Sequence, residues 1–141
     1  FFGHSPDFVL TAIQKQMQQG IGLGMQSHIA AETAALICEI TGVERVAFSN
    51  TGTEAIMAAV RIARSRTKRQ KIVIFAGSYH GTFDGILARS GDESGTAKPL
   101  SLGTPSGMVE DVIVLTYGVE ESLEIIAAHA DDLAAVLVEP V

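Results

Sequence analysis

Cysteine, positive charge and long apolar runs are all scarce in this sequence, and each scarcity excludes something. A single cysteine, Cys38, rules out an internal disulfide framework and fits a reducing compartment, so a cytoplasmic location is expected. Lys plus Arg number 10 against 16 Asp plus Glu, a formal charge of -6. A chain so short of cations is poorly made for a phosphate backbone, and no nucleic-acid partner is expected. No apolar run reaches the ~18 residues of a membrane span, and no n-region, h-region and cleavage site mark a signal peptide. The short chemical motifs are missing too. There is no Walker pattern, Ser78 and Ser106 are not centred in Gly-x-Ser-x-Gly, and His4, His28, His80, His129 and Cys38 lack metal-ligand spacing. Gly20-x-Gly22-x-Gly24 follows a helix and lies outside a βαβ unit, so it is not a dinucleotide fingerprint.

What is present points to a folded domain. The 141 residues are 47% apolar and 18% charged, which excludes wholesale disorder. A chain of this size can bury about 70% of the surface it exposes when unfolded. It opens on Phe1 and stops at Val141, directly after a strand-like run, and is expected to be a piece of a larger protein.

Periodicity organises the chain. Ser5-Pro6 predicts a helix start, with Ser5 as cap and Phe8, Ala12, Ile13 and Met17 at helical spacing to about Gln19. Ser27 is expected to cap a second helix that Gly42 stops. Strands are expected at Arg45–Phe48, Lys71–Phe75, Val112–Leu115 and Ala134–Val138. Helices are expected at Thr53–Arg66, with Ile56, Ala59, Val60 and Ala63 inward, and at Glu120–His129. Gly91 to Asp111 reads as a long loop without periodicity. Alternating strands and helices predict an α/β fold with a mostly parallel, doubly wound sheet and flanking helices.

Three segments carry candidate chemistry. Ser49-Asn50-Thr51-Gly52-Thr53-Glu54-Ala55 joins a strand to a helix, where unpartnered amides and the helix dipole favour an anion. Gly52 allows close approach, and Thr51 and Thr53 add hydroxyls; the same residues also make a plain N-capped helix. Gly77-Ser78-Tyr79-His80-Gly81 ends the Lys71–Phe75 strand, on the edge where open α/β sheets collect ligands. Tyr79 offers a face for an aromatic ring and His80 a donor for a ring substituent, although a simple turn with a half-buried ring would look alike. Glu139 closes the last apolar strand on that same edge, or merely marks its exit into solvent. Glu110-Asp111, Glu120-Glu121 and Asp131-Asp132 are solvated flanks, and Cys38 is a small core residue.

In this order the three segments resemble the class-III pyridoxal-phosphate-dependent aminotransferases, nearest the glutamate-1-semialdehyde aminomutase group. The resemblance rests on Val46 to Ala55 with Met57, Arg61 and Ala63-Arg64, on Lys71 to Gly81, and on Val136 to Val141. It implies the large-domain fold of fold-type I transferases. Residues 1–42 would be a helical segment near the active-site mouth and dimer interface, and 43–141 the first part of the cofactor-binding domain. By the same resemblance, Thr51, Gly52 and Thr53 would hold the phosphate of pyridoxal 5'-phosphate. Tyr79 would stack on its ring with His80 beside it, Glu139 would shape the pocket, and Met25, Gln26 and Ser27 would face substrate. Where the family usually has a serine near Gly91, Asp92 stands here, which bears on substrate preference. The family's Schiff-base lysine and ring-nitrogen aspartate would follow Val141, so this segment alone is expected to be inactive. Tyr79 to Gly85 and Gly103 to Gly107 are similar to aminotransferase domains of hybrid polyketide–peptide synthases. Those take nitrogen from an amino-acid donor and aminate a β-keto acyl chain on a carrier protein. An aminomutase and a noncatalytic phosphate-binding α/β module remain open alternatives, and a homodimer is expected for the full domain.

Overall fold

A computed structural model describes residues 1–22 and 27–139, which form two units, Phe1–Ala47 and Phe48–Val141. Met25 and Gln26, expected to face substrate, lie outside the described residues.

The first unit is a pair of helices. Helix α1 (Asp7–Gln19) starts one position later than its sequence predicts. Pro6 holds the extended N-cap geometry, and its carbonyl accepts from the Val9 and Leu10 amides at 3.0 and 3.1 Å. Ser5 is thereby one residue too early to cap. Helix α2 (His28–Thr41) follows Ser27, which occupies the N-cap without a side-chain bond. Gly42 stops α2 in the left-handed region (φ 76°), its N–H bonded to the Cys38 carbonyl at 2.9 Å. The expected strand at Arg45–Phe48 is not one. Its apolar residues favour a pleat, but a strand exists only with a ladder partner, and none of the described residues supplies one.

The second unit is built on a parallel sheet. Helix α3 (Gly52–Thr67) precedes strand β1 (Lys71–Phe75). Strands β2 (Ala88–Ser90) and β3 (Ala97–Pro99) form an antiparallel hairpin, followed by a 3₁₀ turn at Ser106–Val109. Then come β4 (Val112–Leu115), α4 (Glu120–Ala128) and β5 (Leu133–Val136). The sheet order is β4-β1-β5, with β1 parallel to both neighbours. The segment from Gly91 to Asp111 is therefore not a plain loop. Its strand has three residues, too few for an alternating pattern to register.

After Lys71, β1 is apolar because both its faces are covered. Ile72 and Ile74 pack with Val60 of α3 and with Val112 and Val114, while Val73 packs with Ile113, Leu115 and the Ile125–Ile126 side of α4. Each such side chain, once buried, is worth about 1.5–3 kcal/mol. Val60 is buried on α3 with Ile56 and Ala63 partly so, but Ala59 is exposed, on the flank of the stripe expected to bury it. No helix among the described residues is long and apolar enough to cross a membrane. The packing aligns the carboxyl ends of β1, β4 and β5 along one edge.

Candidate functional site

The start of α3 is a capped helix end that still has donors to spare among the described residues. Thr51 is the N-cap, and its hydroxyl oxygen accepts from the Glu54 amide at 3.2 Å. The Glu54 carboxylate accepts in return from the Asn50 amide at 2.8 Å. This is a capping box whose return bond reaches one residue upstream of the cap. It satisfies the third amide of the helix, and the Ala55 amide bonds the Thr51 carbonyl at 3.1 Å. The amides of Gly52 and Thr53 have no acceptor among the described residues. Two donors at the positive end of a 16-residue helix are thus free for an anion.

A second element presses on these donors. The Thr53 hydroxyl oxygen accepts from the Thr82 amide at 3.1 Å, so its own hydrogen remains to be donated. Gly81 sits in the left-handed region at φ +87°, and a Cβ there would fall 2.9 Å from the Thr53 Cα. Only glycine lets the turn after β1 lie this close to α3. Thr51, Gly52, Thr53, Tyr79, His80 and Gly81 consequently line one open depression of about 290 Å³.

The turn itself is fastened from within and from β5. Ser78 bonds the Phe75 carbonyl through its amide (3.1 Å) and its hydroxyl (2.6 Å), and the hydroxyl oxygen lies 3.0 Å from His80 Nε2. Burial pushes the His80 imidazole below its usual pKa, and the negative charge of Glu139 partly offsets this. Glu139 is solvent-exposed and yet tethered. Its Oε2 accepts from the Tyr79 amide at 2.8 Å, tying the segment after β5 to the turn after β1. Tyr79 keeps its ring largely exposed, at 64%, with a face available for stacking.

The sequence expectations for Thr51, Gly52, Thr53, Tyr79 and His80 therefore meet in one place, with Glu139 behind Tyr79. Ser27 is the N-cap residue of α2 in the first unit. Asp92 lies on the β2–β3 hairpin in an ion pair with Lys98 at 2.5 Å. The hydrogen bond and charge of that lysine hold its carboxyl below the usual range. Tyr117 was missed by sequence reasoning. It lies in the turn two residues after β4, meets Phe75 edge-to-face at 5.2 Å between centroids, and shares a cleft with Ser78 and Glu139. Tyr117-Gly118 shortly after an apolar strand was the available signal, by the strand-end rule that singled out Tyr79. Among the described residues no group of three His, Cys, Asp or Glu side chains is placed to hold a metal ion.

Comparison with known proteins agrees with this geometry. The chain is 39% identical to glutamate-1-semialdehyde 2,1-aminomutase of Clostridium acetobutylicum, over 99% of this chain and 34% of that protein. Its fold superposes on an omega-transaminase from Sphaerobacter thermophilus with a TM-score of 0.87 and 32% identity, covering 97% of this chain and 33% of that one. A transaminase solved with PLP bound gives a TM-score of 0.85 at 35% identity, covering 98% and 33%. The chain thus spans about a third of the length of these relatives. The class-III aminotransferase family model matches residues 1–141. With the whole chain matched, and with an α/β fold that aligns with pyridoxal-phosphate-dependent transaminases, this protein belongs to the class-III aminotransferase family.

Proposed function

We propose that this segment supplies the phosphate cradle and the ring-facing turn of a pyridoxal-phosphate-dependent aminotransferase. The observation that carries the reading is the convergence on Thr53, where two amides without an acceptor and a hydroxyl without a use for its hydrogen, among the described residues, meet a glycine-only contact. That donor set fits a phosphate monoester. The Gly52 and Thr53 amides and the Thr53 hydroxyl would bind it, Tyr79 would lie against the aromatic ring, and Glu139 would hold the Tyr79 backbone in place. Bound there, pyridoxal phosphate supplies an electron sink that lets an amino group pass between an amino acid and a carbonyl acceptor.

For the finer activity, the reading is amino transfer from an amino-acid donor to a β-keto acyl chain on a carrier protein, within a hybrid synthase. The Tyr79–Gly85 and Gly103–Gly107 segments support it. Glutamate-1-semialdehyde aminomutation is the second reading, favoured by the 39% identity to that enzyme. The full domain acts as a homodimer, and this segment alone is inactive.

The test is cofactor uptake by the full-length protein, followed by its visible absorbance. The protein is expected to bind pyridoxal phosphate, and Thr53→Val to raise the Kd about tenfold or more, as losing one charge-assisted hydrogen bond does. A protein that takes up inorganic phosphate but remains colourless with the cofactor would instead be a noncatalytic binding module. Assays with a β-keto acyl carrier protein and with glutamate-1-semialdehyde separate the two enzymatic readings.

A further inference from the structure

We infer that Ser78 is a positioning residue that fixes the His80 imidazole as its Nε2–H form and leaves Nδ1 as a hydrogen-bond acceptor. The inference follows from counting hydrogens. A serine hydroxyl has one hydrogen, and the Phe75 carbonyl, 2.6 Å away, can only accept it. The same oxygen lies 3.0 Å from His80 Nε2, and with its hydrogen already used it can only accept there. Nε2 must therefore carry the proton. A neutral imidazole has a single N–H, so its lone pair is on Nδ1, which has no hydrogen-bond partner among the described residues.

Ser78 is well suited to this task because its own rotamer is locked. Its amide and its hydroxyl both bond the last carbonyl of β1, so the oxygen that faces His80 is held by the central strand of the sheet. The consequence reverses the donor role expected for His80. His80 lines the same depression as Thr53 and Tyr79, and the acceptor its neutral ring has to offer is Nδ1. A ligand group that meets Nδ1 must offer an N–H or O–H, and an anionic oxygen would require Nδ1 to take up a proton first. The functional weight of this acceptor rests on the cofactor reading above; the assignment of the ring does not.

The experiment is nitrogen-15 NMR of the full-length, cofactor-free protein with labelled histidine, observed where His80 is neutral. The ring is expected to show a protonated Nε2 and no detectable Nδ1–H. In Ser78→Ala the Nδ1–H form should rise to a tenth or more of the population, and Ser78→Thr, which restores a hydroxyl, should suppress it again. Nδ1–H in the wild-type ring, or a population unmoved by Ser78→Ala, overturns the inference. The wild-type spectrum decides even if the alanine variant does not fold. Pyridoxal phosphate uptake, measured on the same samples, fails or succeeds independently and tests only the cofactor reading.

Discussion

Two places in the second unit put a glycine hard against a threonine, and they end differently. At the β2–β3 hairpin a Cβ on Gly91 would fall 2.9 Å from the Thr96 Cβ; at the cradle a Cβ on Gly81 would fall 2.9 Å from the Thr53 Cα. Thr96 spends its hydroxyl locally. It donates to the Glu93 carbonyl at 2.7 Å and accepts from the Glu93 amide at 3.3 Å, closing a turn three residues away. Thr53 accepts from Thr82, 29 residues along the chain, and keeps its hydrogen beside two amides that also lack partners among the described residues. The same two residue types therefore make a finished turn in one place and a site in the other. What marks the site is polar capacity left over once the fold is satisfied.

Paired alanine substitutions should give the largest effect. Gly81→Ala meets the α3 backbone and must also hold an alanine at φ +87°. Overpacking costs about 1–3 kcal/mol and a left-handed non-glycine residue about 1–2 kcal/mol more, so urea unfolding of the full-length protein should show a clear loss. Cofactor retention should fall at least tenfold, because relief of the clash moves Thr53 away from the turn. Gly91→Ala should also destabilise, through Thr96, yet leave the pyridoxal phosphate Kd unchanged. Equal losses of cofactor in both variants would erase the distinction between the two contacts.

The comparison also explains what could be read from the sequence. The runs Lys71–Phe75 and Val112–Leu115 and the period of α3 were legible because burial on both faces, or along one stripe, leaves a local pattern. Asn50-Thr51-Gly52-Thr53 was legible as a capped helix start because a threonine precedes a helical period there. Its fastening was not. Thr53 to Thr82 and Glu139 to Tyr79 join residues 29 and 60 positions apart, and no local pattern encodes such pairs. The opposite error befell Arg45–Phe48, where strand-favouring residues were present and a ladder partner among the described residues was not. The Asp92–Lys98 pair was not legible because it spans a hairpin whose strands of three residues are too short to leave a pattern.

Glu139→Gln sharpens the comparison at the turn, with an intermediate effect. The amide oxygen can still accept from Tyr79, so the turn should persist, but the charge beside His80 is gone. That charge raises the His80 pKa against the larger, opposing effect of burial. Its removal should therefore lower the pKa further, read by NMR titration of the ring. The sign for stability follows. A folded pKa below the usual 6.5 gives a contribution that is full above that value and is lost as pH falls toward the folded pKa. In the glutamine variant this acid-side loss should extend to lower pH. A His80 pKa that rises would mean that Glu139 does not act on the ring electrostatically.

The smallest effect belongs to Asp92→Asn, on the hairpin side of the comparison. Asp92 has its carboxyl held below the usual range by Lys98, so its contribution to stability exists above that range and disappears as acid protonates it. The pair is open to solvent, where water and salt screen it, and holding a long lysine side chain in one geometry costs entropy. Melting of the full-length protein at neutral pH should therefore change little, and less still at high salt. Pyridoxal phosphate affinity should not change, because Asp92 is absent from the lining of the cradle depression. A weakened cofactor would show that the hairpin, although its polar groups are turned on one another, also braces the cradle, and the boundary drawn between a finished turn and a site would then have to include both.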